Sequence, residues 1–324
     1  MQATAAAVHR RGTAGTAASA SSRTLAAVTL APSPYTPAPV PVAGRLAGLV
    51  RSALLPARCA GCGRWETTLC PQCRSLLDGP PAPVGHLGGA QGLEVRALSP
   101  YAGAVRALVL AWKHGTREDL RAVMAQVGRR AGQDWATGAG GEVLRRLPGC
   151  RGLLVVPAPS GRARRLRGRL VAADLADAVA TGAATGLVGS TGDTDSVSGA
   201  DDVAPACLVG KGAAPVRRGV PDLVASADVL RRRGGTGHQT GLSARGRRLN
   251  RAVAPVVLSP VSGWAVLLVD DVVTTGTTLG GCARALREAG ACVLGALVVA
   301  AAPAPISPWA DVPPDTPTAA PTMV

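Results

Sequence analysis

Apolar positions between residues 95 and 302 follow two patterns, which predict alternating strands and helices. Short continuous apolar runs are typical of buried strands and occur at VRALSPY (95–101), GLLVVPAP (152–159), WAVLLVDDVV (264–273) and ACVLGALVVAA (291–301). Helical spacing of apolar residues occurs at AGAVRALVLAWKHG (102–115), REDLRAVMAQVGRRAG (117–132), RRLRGRLVAADLADAVA (164–180) and GGCARALREAG (280–290). Because strands that alternate with helices form parallel sheets covered on both faces, the pattern predicts an α/β fold.

Three tracts show neither period and are rich in small residues and proline, so we expect them to be disordered. They are an N-terminal tail (1–44), an insertion at about 181–218 and a C-terminal tail (303–324). The insertion interrupts a domain of residues 95–302, and we interpret it as a surface loop. Ahead of that domain, residues 45–78 contain a short helix, GRLAGLVRSALLP (44–56), and then four closely spaced cysteines.

The formal charge of +15 favours polyanionic partners, either phosphates or nucleic acid, without distinguishing between them. No apolar run reaches the roughly 18 residues that a membrane-spanning helix needs. Prolines interrupt the N-terminal segment before the apolar core of a signal peptide can form. Paired cysteines in a reducing compartment indicate metal ligands rather than disulfides. We therefore expect a cytoplasmic protein.

The segment VLLVDDVVTTGTTL (266–279) runs from an apolar strand into two carboxylates and then into a threonine-rich turn. Ligands of α/β sheets bind where strands end, so we expect Asp270 and Asp271 to emerge at that edge of the sheet. The turn TTGTT (274–278) supplies backbone N–H groups, hydroxyls and a helix N-terminus, which suit a phosphate monoester. The neighbouring carboxylates suit ribose hydroxyls and Mg²⁺. The segment therefore predicts a sugar-phosphate site.

Two other structures share parts of this pattern. P-loop nucleotidases also have an apolar strand that ends in acids, but they need GxxxxGK[ST] upstream. The one Gly-Lys pair of the chain, Gly210 and Lys211, has Pro205 in place of the first glycine and Gly212 in place of Ser or Thr, which excludes a P-loop. A plain strand-turn-helix with two exposed carboxylates stays open.

Four cysteines form two CxxC turns separated by seven residues: Cys59, Cys62, Cys70 and Cys73. Each turn can point two thiolates at one ion, and the intervening hairpin can close a tetrahedral four-sulfur site, for which Zn²⁺ is the expected metal. The closed ligand set favours a structural role. A redox dithiol and a zinc module that contacts nucleic acid stay open. The remaining cysteines have no partner at ligand spacing and are expected to be ordinary small residues: Cys150, Cys207, Cys282 and Cys292.

The acidic pair and the threonine turn resemble the phosphoribosyl pyrophosphate signature of type I phosphoribosyltransferases. The order of the motifs resembles the ComF family, whose members have a phosphoribosyltransferase fold behind an N-terminal zinc finger and are linked to DNA-uptake competence. These motifs are the four-cysteine finger, YAGAVRALVLAWKHG, VVPAP with an arginine-rich helix, HQTGLSARGRRLN and the signature. The resemblance covers about residues 45–180 and 219–302, and it implies a type I phosphoribosyltransferase fold.

The resemblance also implies residue roles. The acids, Asp270 and Asp271, would hold the ribose hydroxyls. The 5-phosphate would lie on Thr274, Thr275, Gly276, Thr277 and Thr278. A pyrophosphate loop would comprise Pro157, Ala158, Pro159 and Ser160, followed by Arg162, Arg164, Arg165, Arg167 and Arg169. Arginine binds phosphate oxygens bidentately, although a solvated helix face would account for any single one of these arginines.

A second basic cluster, Arg231, Arg232 and Arg233, precedes GGTGHQTGLSARGRR, which resembles the mobile hood loop of the fold. Residues that match the family pattern there are Gln239, Arg245, Asn250 and, as the register allows, Arg247 or Arg248. Lys113 in WKHG matches a lysine common in the family, and its chemical role does not follow from the sequence.

The implied reaction is displacement at the anomeric carbon of phosphoribosyl pyrophosphate by a nitrogen acceptor, with Mg²⁺-pyrophosphate leaving. The acceptor is not indicated. Two departures favour binding over turnover: Ala158 and the Ser160-Gly161 pair loosen the loop, and RLV (169–171) replaces the aromatic-Asn-Gln triplet of the family. The alternatives are a non-catalytic phosphoribosyl-ligand sensor and a competence-related DNA-uptake accessory protein. Proteins that bind single-stranded nucleic acid stack its bases on aromatic side chains, and Trp65 is the only obvious candidate in this sequence. This scarcity disfavours the DNA-uptake role.

Overall fold

A computed structural model of the chain describes residues 58–90, 92–114, 117, 119–147, 149–160, 171–189, 223–232 and 254–304, together with the backbone of residues 5–7 and 26–29. Several predicted features lie outside these ranges. They are the helix at 44–56, the larger part of the insertion, the arginine-rich segment with Arg162, the hood segment with Gln239, and the tail beyond residue 304.

The described strands form a mostly parallel sheet. In chain order they are β1 (Ala5–Ala7), β2 (Ala26–Thr29), β3 (Ala82–Pro83), β4 (Val95–Pro100), β5 (Leu153–Pro157), β6 (Leu223–Ser226), β7 (Leu230–Arg231), β8 (Val256–Val257), β9 (Ala265–Val273) and β10 (Cys292–Ala301). Eight of them pair in the order β1-β2-β6-β5-β9-β10-β4-β3, and β7 pairs with β8. The six inner strands are parallel, and β1 and β3 are antiparallel at the edges. The predicted α/β class is confirmed.

The helices are α1 (Pro71–Ser75), α2 (Gly103–His114), α3 (Leu120–Thr137), α4 (Ala139–Arg146), α5 (Val171–Gly189) and α6 (Thr277–Glu288). Of these, α2, α3, α5 and α6 correspond to the four predicted helices of the main domain. We did not predict α4, because its sequence AGGEVLRR begins with small residues directly after α3. The chain leaves α6 through Gly290, whose φ of 84° lies in the left-handed region that favours glycine.

Strand β9 lies near the middle of the sheet and separates two parts of the core. Leu267 and Val269 pack in a cluster with residues of α2, α3, α4 and α5, whereas Val266 and Leu268 pack in a cluster with residues of α6. Successive strand residues point to opposite faces, so the two clusters lie on the two faces of the sheet. Burial on both faces explains the continuous apolar run in the sequence.

Helices α3 and α5 cross closely at glycine. A Cβ atom on Gly132 would lie 2.1 Å from the carbonyl oxygen of Val179, and one on Gly182 would lie 1.8 Å from the carbonyl oxygen of Arg129. The packing also corrects a predicted boundary. The insertion was expected to begin at residue 181, but α5 continues to Gly189, because its small residues are helix contacts rather than loop residues.

Two short strands correct the expectation of a wholly disordered N-terminal tail. Strand β2 pairs in parallel with β6, and β1 pairs with β2. Without β2, strand β6 would be an edge strand with unpaired backbone groups, and backbone pairing needs no particular side chains. The sequence also did not predict β3, β6, β7 and β8, which are too short to show a period.

Among the described residues, α5 is long and apolar enough to cross a membrane, judged by length and composition alone. Its mean hydropathy is 1.3 over the apolar window, of which 67% is buried inside the protein. Buried core helices pass the same test, and α5 contributes to the core cluster that also contains residues of α3 and β5. No continuous apolar run of that length was expected, and α5, which contains Asp174 and Asp177, passes the test through its average hydropathy.

We expect Gly182→Ala to lower the free energy of unfolding by about 1–3 kcal/mol, because the added methyl group must push α3 and α5 apart. Gly189→Ala in the same helix is the matched control, since a Cβ atom there meets nothing within 4 Å. It should change stability by less than about 0.5 kcal/mol. Urea denaturation measures both variants, and equal stability would show that the helices do not cross at Gly182.

Candidate functional site

The two predicted acids lie within β9, which ends at Val273, rather than beyond the end of the strand. Because side chains alternate along a strand, Asp270 and Asp271 point to opposite faces of the sheet. Asp271 is buried, with 4% of its surface exposed, on the face covered by α2. Asp270 is partly accessible on the face covered by α6. The two carboxylates still lie close enough to interact with each other, and the expectation that both act on one ligand stays a prediction.

Asp271 forms an ion pair with Lys113, the next-to-last residue of α2. The distance from Lys113 Nζ to Asp271 Oδ2 is 2.6 Å, and the two side chains are 22% and 5% exposed. Asp271 Oδ1 accepts a hydrogen bond from the N–H of Val272 (2.9 Å). Oδ2 is buried without a hydrogen bond of good geometry, so the positive charge of Lys113 offsets the cost of burying this oxygen. The structure thus brings together two residues that the sequence places far apart.

Asp270 lies on the opposite face of the sheet from Asp271, near the buried thiol of Cys282. Removal from water raises the pKa of Asp270 to about 7, and the negative charge of Asp271 acts in the same direction. The N–H of Asp271 donates to Asp270 Oδ1 (2.8 Å) and partly opposes this shift. Burial, and then the charge of Asp270, raise the pKa of the Cys282 thiol to about 12. Asp270 therefore changes its charge near neutral pH, where a bound cation would favour the carboxylate.

A tight turn joins β9 to α6. Gly276, with φ of 76°, is the N-cap of α6 and adopts the left-handed conformation that favours glycine. Among the described residues, no backbone carbonyl accepts a hydrogen bond from the N–H groups of residues 274–278. The N–H of Thr277 makes only a long contact of 3.5 Å with Thr275 Oγ1. The predicted loop thus keeps amide hydrogens available at a helix N-terminus, as an anion site requires.

A turn that the sequence did not indicate packs against this loop. It is the 3₁₀ turn Gly88–Ala90, in which the N–H of Gly89 donates to the carbonyl of Thr275 (2.8 Å). A Cβ atom on Gly89 would lie 2.5 Å from Thr277 Oγ1, whereas one on Gly88 would meet nothing within 4 Å. Only glycine therefore fits at position 89. The run of glycines was the one signal for this contact, and it did not specify a partner.

The predicted pyrophosphate loop begins inside the sheet. Pro157, Ala158 and Pro159 are buried, and the N–H of Ala158 donates to the carbonyl of Val269 (2.7 Å). Proline has no N–H, so these three residues offer no free amide hydrogen to a diphosphate. Ser160 is the first residue of this segment that is partly accessible. Residues 157–159 therefore shape the carboxyl end of β5, and contact between the segment and a diphosphate stays a prediction.

Two arginines of the second basic cluster have different partners. Arg231 forms an ion pair with Asp228 at 2.9 Å and supports its own turn. Arg232 Nε donates to the carbonyl of Pro159 (3.0 Å), and its charge acts on Cys282. Arg232 therefore lies between the end of β5 and the face that holds Asp270. The sequence indicated a basic cluster here but not which arginine faces the site.

The four clustered cysteines form a candidate metal centre. The sulfur atoms of Cys59, Cys62, Cys70 and Cys73 all lie within 4.8 Å of one another. In a tetrahedral site with metal–sulfur distances of about 2.3 Å, neighbouring sulfurs lie about 3.8 Å apart. The distance of 3.6 Å between Cys62 Sγ and Cys70 Sγ is close to this value. The four thiols therefore fit a metal ion such as Zn²⁺, as predicted.

Backbone groups of the two CxxC turns favour thiolate at one ligand. The N–H of Cys70 points at Cys59 Sγ (3.4 Å). Burial alone would raise the pKa of Cys59, but hydrogen bonds from the backbone of Cys70, Cys62 and Gly61 lower it to about 6. Burial and the neighbouring thiols raise the pKa of Cys73. The lowered pKa suits a ligand that must bind a cation as the thiolate.

The remaining cysteines differ from one another. Cys150 and Cys282 are free, as expected. Cys292 is disulfide-bonded, which corrects the expectation of an unpartnered residue. Cys207 lies outside the described residues.

Residues 228–317 match the family model described as the phosphoribosyl transferase domain. The matched range contains β8, β9, α6 and β10, and therefore both acids and the threonine loop. It covers well under half of the chain and excludes the cysteine cluster and Lys113. No curated protein matches the chain. The C-terminal part of the chain thus contains a phosphoribosyl transferase domain, with a four-cysteine cluster nearer the N-terminus.

We expect about one zinc ion per purified chain. The double variant Cys59→Ser, Cys62→Ser should lose it, because two remaining ligands cannot close a tetrahedral site. Cys150→Ser removes a free thiol outside the cluster and should keep the metal. Elemental analysis against protein concentration gives the stoichiometry. A double variant that still holds a full equivalent would refute the ligand set.

Asp270 should make stability depend on pH. Its pKa rises from 3.8 to about 7 on folding, so the folded protein keeps a proton that the unfolded chain releases. Asp270 therefore lowers the free energy of unfolding as the pH rises from about 4 to about 7. We expect Asp270→Asn to be more stable than the wild type at pH 8 and equally stable near pH 4. Urea denaturation at both pH values measures this, and a pH-independent difference would contradict it.

Proposed function

We propose that the protein binds phosphoribosyl pyrophosphate with Mg²⁺ and transfers the phosphoribosyl group to a nitrogen acceptor, with release of pyrophosphate. The observation that carries this proposal is the junction of β9 and α6. There, an acidic pair, a loop with available amide hydrogens and a helix N-terminus follow one another within nine residues, 270–278. This junction also lies inside the part of the chain that matches the phosphoribosyl transferase domain.

The loop of residues 274–278 is proposed to bind the 5-phosphate. Its N–H groups have no backbone acceptor among the described residues, and the positive end of the α6 dipole favours a dianion. The hydroxyls of Thr275 and Thr277 lie 2.9 Å apart and can both donate to phosphate oxygens. Gly89 fixes the loop from behind through the carbonyl of Thr275.

The carboxylates are proposed to act on the ribose and on the metal. Asp270 is the accessible acid and can accept hydrogen bonds from ribose hydroxyls or bind the cation, which would favour its ionised form. Asp271 is buried and paired with Lys113. Its proposed role is either a short-range contact with the ligand or holding Lys113 near the ligand. Bound Mg²⁺ would neutralise the charge that develops on the departing pyrophosphate.

Positive side chains are proposed to hold the diphosphate. Arg232 lies at the end of β5 with its Nε on the carbonyl of Pro159. Ser160 is the first accessible residue after that strand, and the arginine-rich run that contains Arg162 follows it in the sequence. Guanidinium groups bind phosphate oxygens bidentately, so charge neutralisation and positioning would supply the catalysis. No nucleophilic side chain is needed.

The arrangement of a four-cysteine cluster ahead of a phosphoribosyl transferase domain supports membership of the ComF family, which we also propose. The cluster is proposed to hold structural Zn²⁺, because all four ligand positions of a tetrahedral ion are filled by the protein. A cytoplasmic location is proposed with it, since CxxC pairs that serve as metal ligands are typical of a reducing compartment.

One observation favours a second candidate, a phosphoribosyl-ligand sensor without turnover. The segment Pro157–Pro159 has no amide hydrogen to offer a leaving diphosphate, and Asp271 is already neutralised by Lys113. Binding of the 5-phosphate to residues 274–278 depends on neither feature, whereas stabilisation of a leaving group does.

Incubation with phosphoribosyl pyrophosphate, Mg²⁺ and a panel of nucleobases and amines should release pyrophosphate, which a coupled enzymatic assay detects. Asp271→Asn should reduce release at least about 100-fold, the loss typical of removing a group that stabilises transition-state charge. Calorimetric binding without release across the panel would support the sensor. Absence of both binding and release would contradict the proposal.

Matched variants of the supporting turn test the phosphate loop in the same assays. Gly89→Ala forces a methyl group into Thr277 and should weaken ligand binding by about tenfold, which corresponds to about 1.4 kcal/mol. Gly88→Ala adds the same methyl group into open space and should bind like the wild type. Equal affinities of the two variants would show that the loop is not the phosphate site.

A further inference from the structure

The cysteine cluster packs against the first turn of α2. Ala104 of that turn contacts the buried cysteines. A Cβ atom on Gly61 would lie 2.7 Å from Cys73 Sγ and 3.3 Å from Ala104 Cβ, so the first CxxC turn is wedged between the cluster and the helix. Leu77, which follows the second CxxC turn, is buried in the same core cluster as Val105 of α2. The start of α2 is therefore fixed by the segment that carries the four cysteines, residues 58–78, which we call the cysteine module.

Arg117 lies three residues beyond α2 and ties the segment after this helix to the cysteine module. Its Nη1 donates to the carbonyl of Arg58 (2.7 Å), and its Nη2 donates to the carbonyl of Thr68 (3.2 Å). These two residues lie one position before Cys59 and two positions before Cys70. The Nε and Nη2 of Arg117 also bond the carboxylate of Asp119 at 2.9 Å and 2.7 Å. One guanidinium group thus joins both CxxC turns to the connection between α2 and α3.

Lys113 lies four residues before Arg117, at the C-terminal end of α2. Its Nζ is 2.6 Å from the buried Oδ2 of Asp271, an oxygen that has no hydrogen bond of good geometry. The flexible lysine side chain can absorb a small displacement of the helix end, but a displacement beyond its reach separates Nζ from Asp271. Such a displacement changes the compensation of Asp271.

We propose that Arg117 is a positioning residue through which the cysteine module places Lys113 against Asp271. The module contacts the first turn of α2 at Ala104 and the segment after α2 at Arg117, and Lys113 lies between these two contacts in the chain. The cysteine cluster then determines the charge of the ligand site without contacting a ligand. This inference concerns the site of the proposed function, but the contact between Lys113 and Asp271 can be measured without any ligand.

Two polar links join the module to α3 rather than to α2. Arg74 donates to Gln126 of α3 (2.8 Å), and Arg130 of α3 lies 3.4 Å from Asp78. Arg130 is 55% exposed, so this ion pair is a weak surface link. Arg130→Ala therefore serves as a control that loosens the module from α3 while leaving the end of α2 in place.

The composition of the chain allows a direct measurement of Lys113. The chain has two lysines, Lys113 and Lys211. Reductive ¹³C-methylation of the full chain preserves their charge and gives two lysine resonances beside that of the N-terminus. Lys113→Arg and Lys211→Arg assign them. Asp271→Asn supplies the reference position of a Lys113 that has lost its partner.

We expect the Lys113 resonance of Arg117→Ala to move toward its position in Asp271→Asn, with zinc content unchanged. Arg117→Gln keeps one amide donor but cannot bond two carbonyls and a carboxylate at once, and it adds no lysine resonance, so it should move the Lys113 resonance in the same direction. It also decides the question if the alanine variant does not fold. Arg130→Ala should leave the resonance unmoved. A wild-type resonance position in folded, zinc-loaded Arg117 variants, or an equal shift in Arg130→Ala, would overturn the proposal.

Ligand affinity gives a second readout. With phosphoribosyl pyrophosphate and Mg²⁺ as the probe, Arg117→Ala should weaken binding about fivefold or more. In a Lys113→Met background the same change should have no further effect, because it acts through the lysine. Additive losses would indicate a merely structural role and contradict the proposal. If the wild type does not bind the probe, the proposed function fails, and the lysine resonance still tests the positioning.

Discussion

The ion pair between Lys113 and Asp271 is the interaction on which the site depends. Asp271 is buried at the end of the central strand β9, and an isolated buried carboxylate is costly unless a positive charge compensates it. Lys113 supplies that charge from a different helix. The position of α2 relative to the sheet therefore affects the net charge beside the two acids, because α2 carries Lys113.

Strand β9 joins the two halves of this arrangement. Its alternating side chains first build the two clusters of the core and then place one acid on each face of the sheet. On one face, Asp271 faces the helix that the cysteine module holds. On the other, Asp270 lies near Cys282 and Arg232 and changes charge near neutral pH. After Val273 the chain continues directly into the loop that offers amide hydrogens. The two carboxylates are therefore only a few residues from the proposed phosphate site.

Much of this could be predicted from the sequence because the relevant signals are local. The buried strands, the main helices, the acid-threonine segment and the CxxC spacing each follow from short-range patterns. What the sequence did not show depends on contacts between distant segments: the partner of Lys113, the packing of Gly89 on Thr277, and the position of Arg232 at the end of β5. The glycines of α5 led to the wrong prediction of a loop from residue 181, because close helix packing and loop flexibility both favour glycine.

The most direct test of the central claim is a crystal structure of the protein with ribose 5-phosphate and Mg²⁺. The account predicts phosphate oxygens within hydrogen-bonding distance of the N–H groups of residues 275–278 and a sugar hydroxyl or the cation at Asp270. It also predicts that Lys113 remains within reach of Asp271 or of the ligand. A phosphate bound away from this loop, or a ribose that contacts neither acid, would contradict the account.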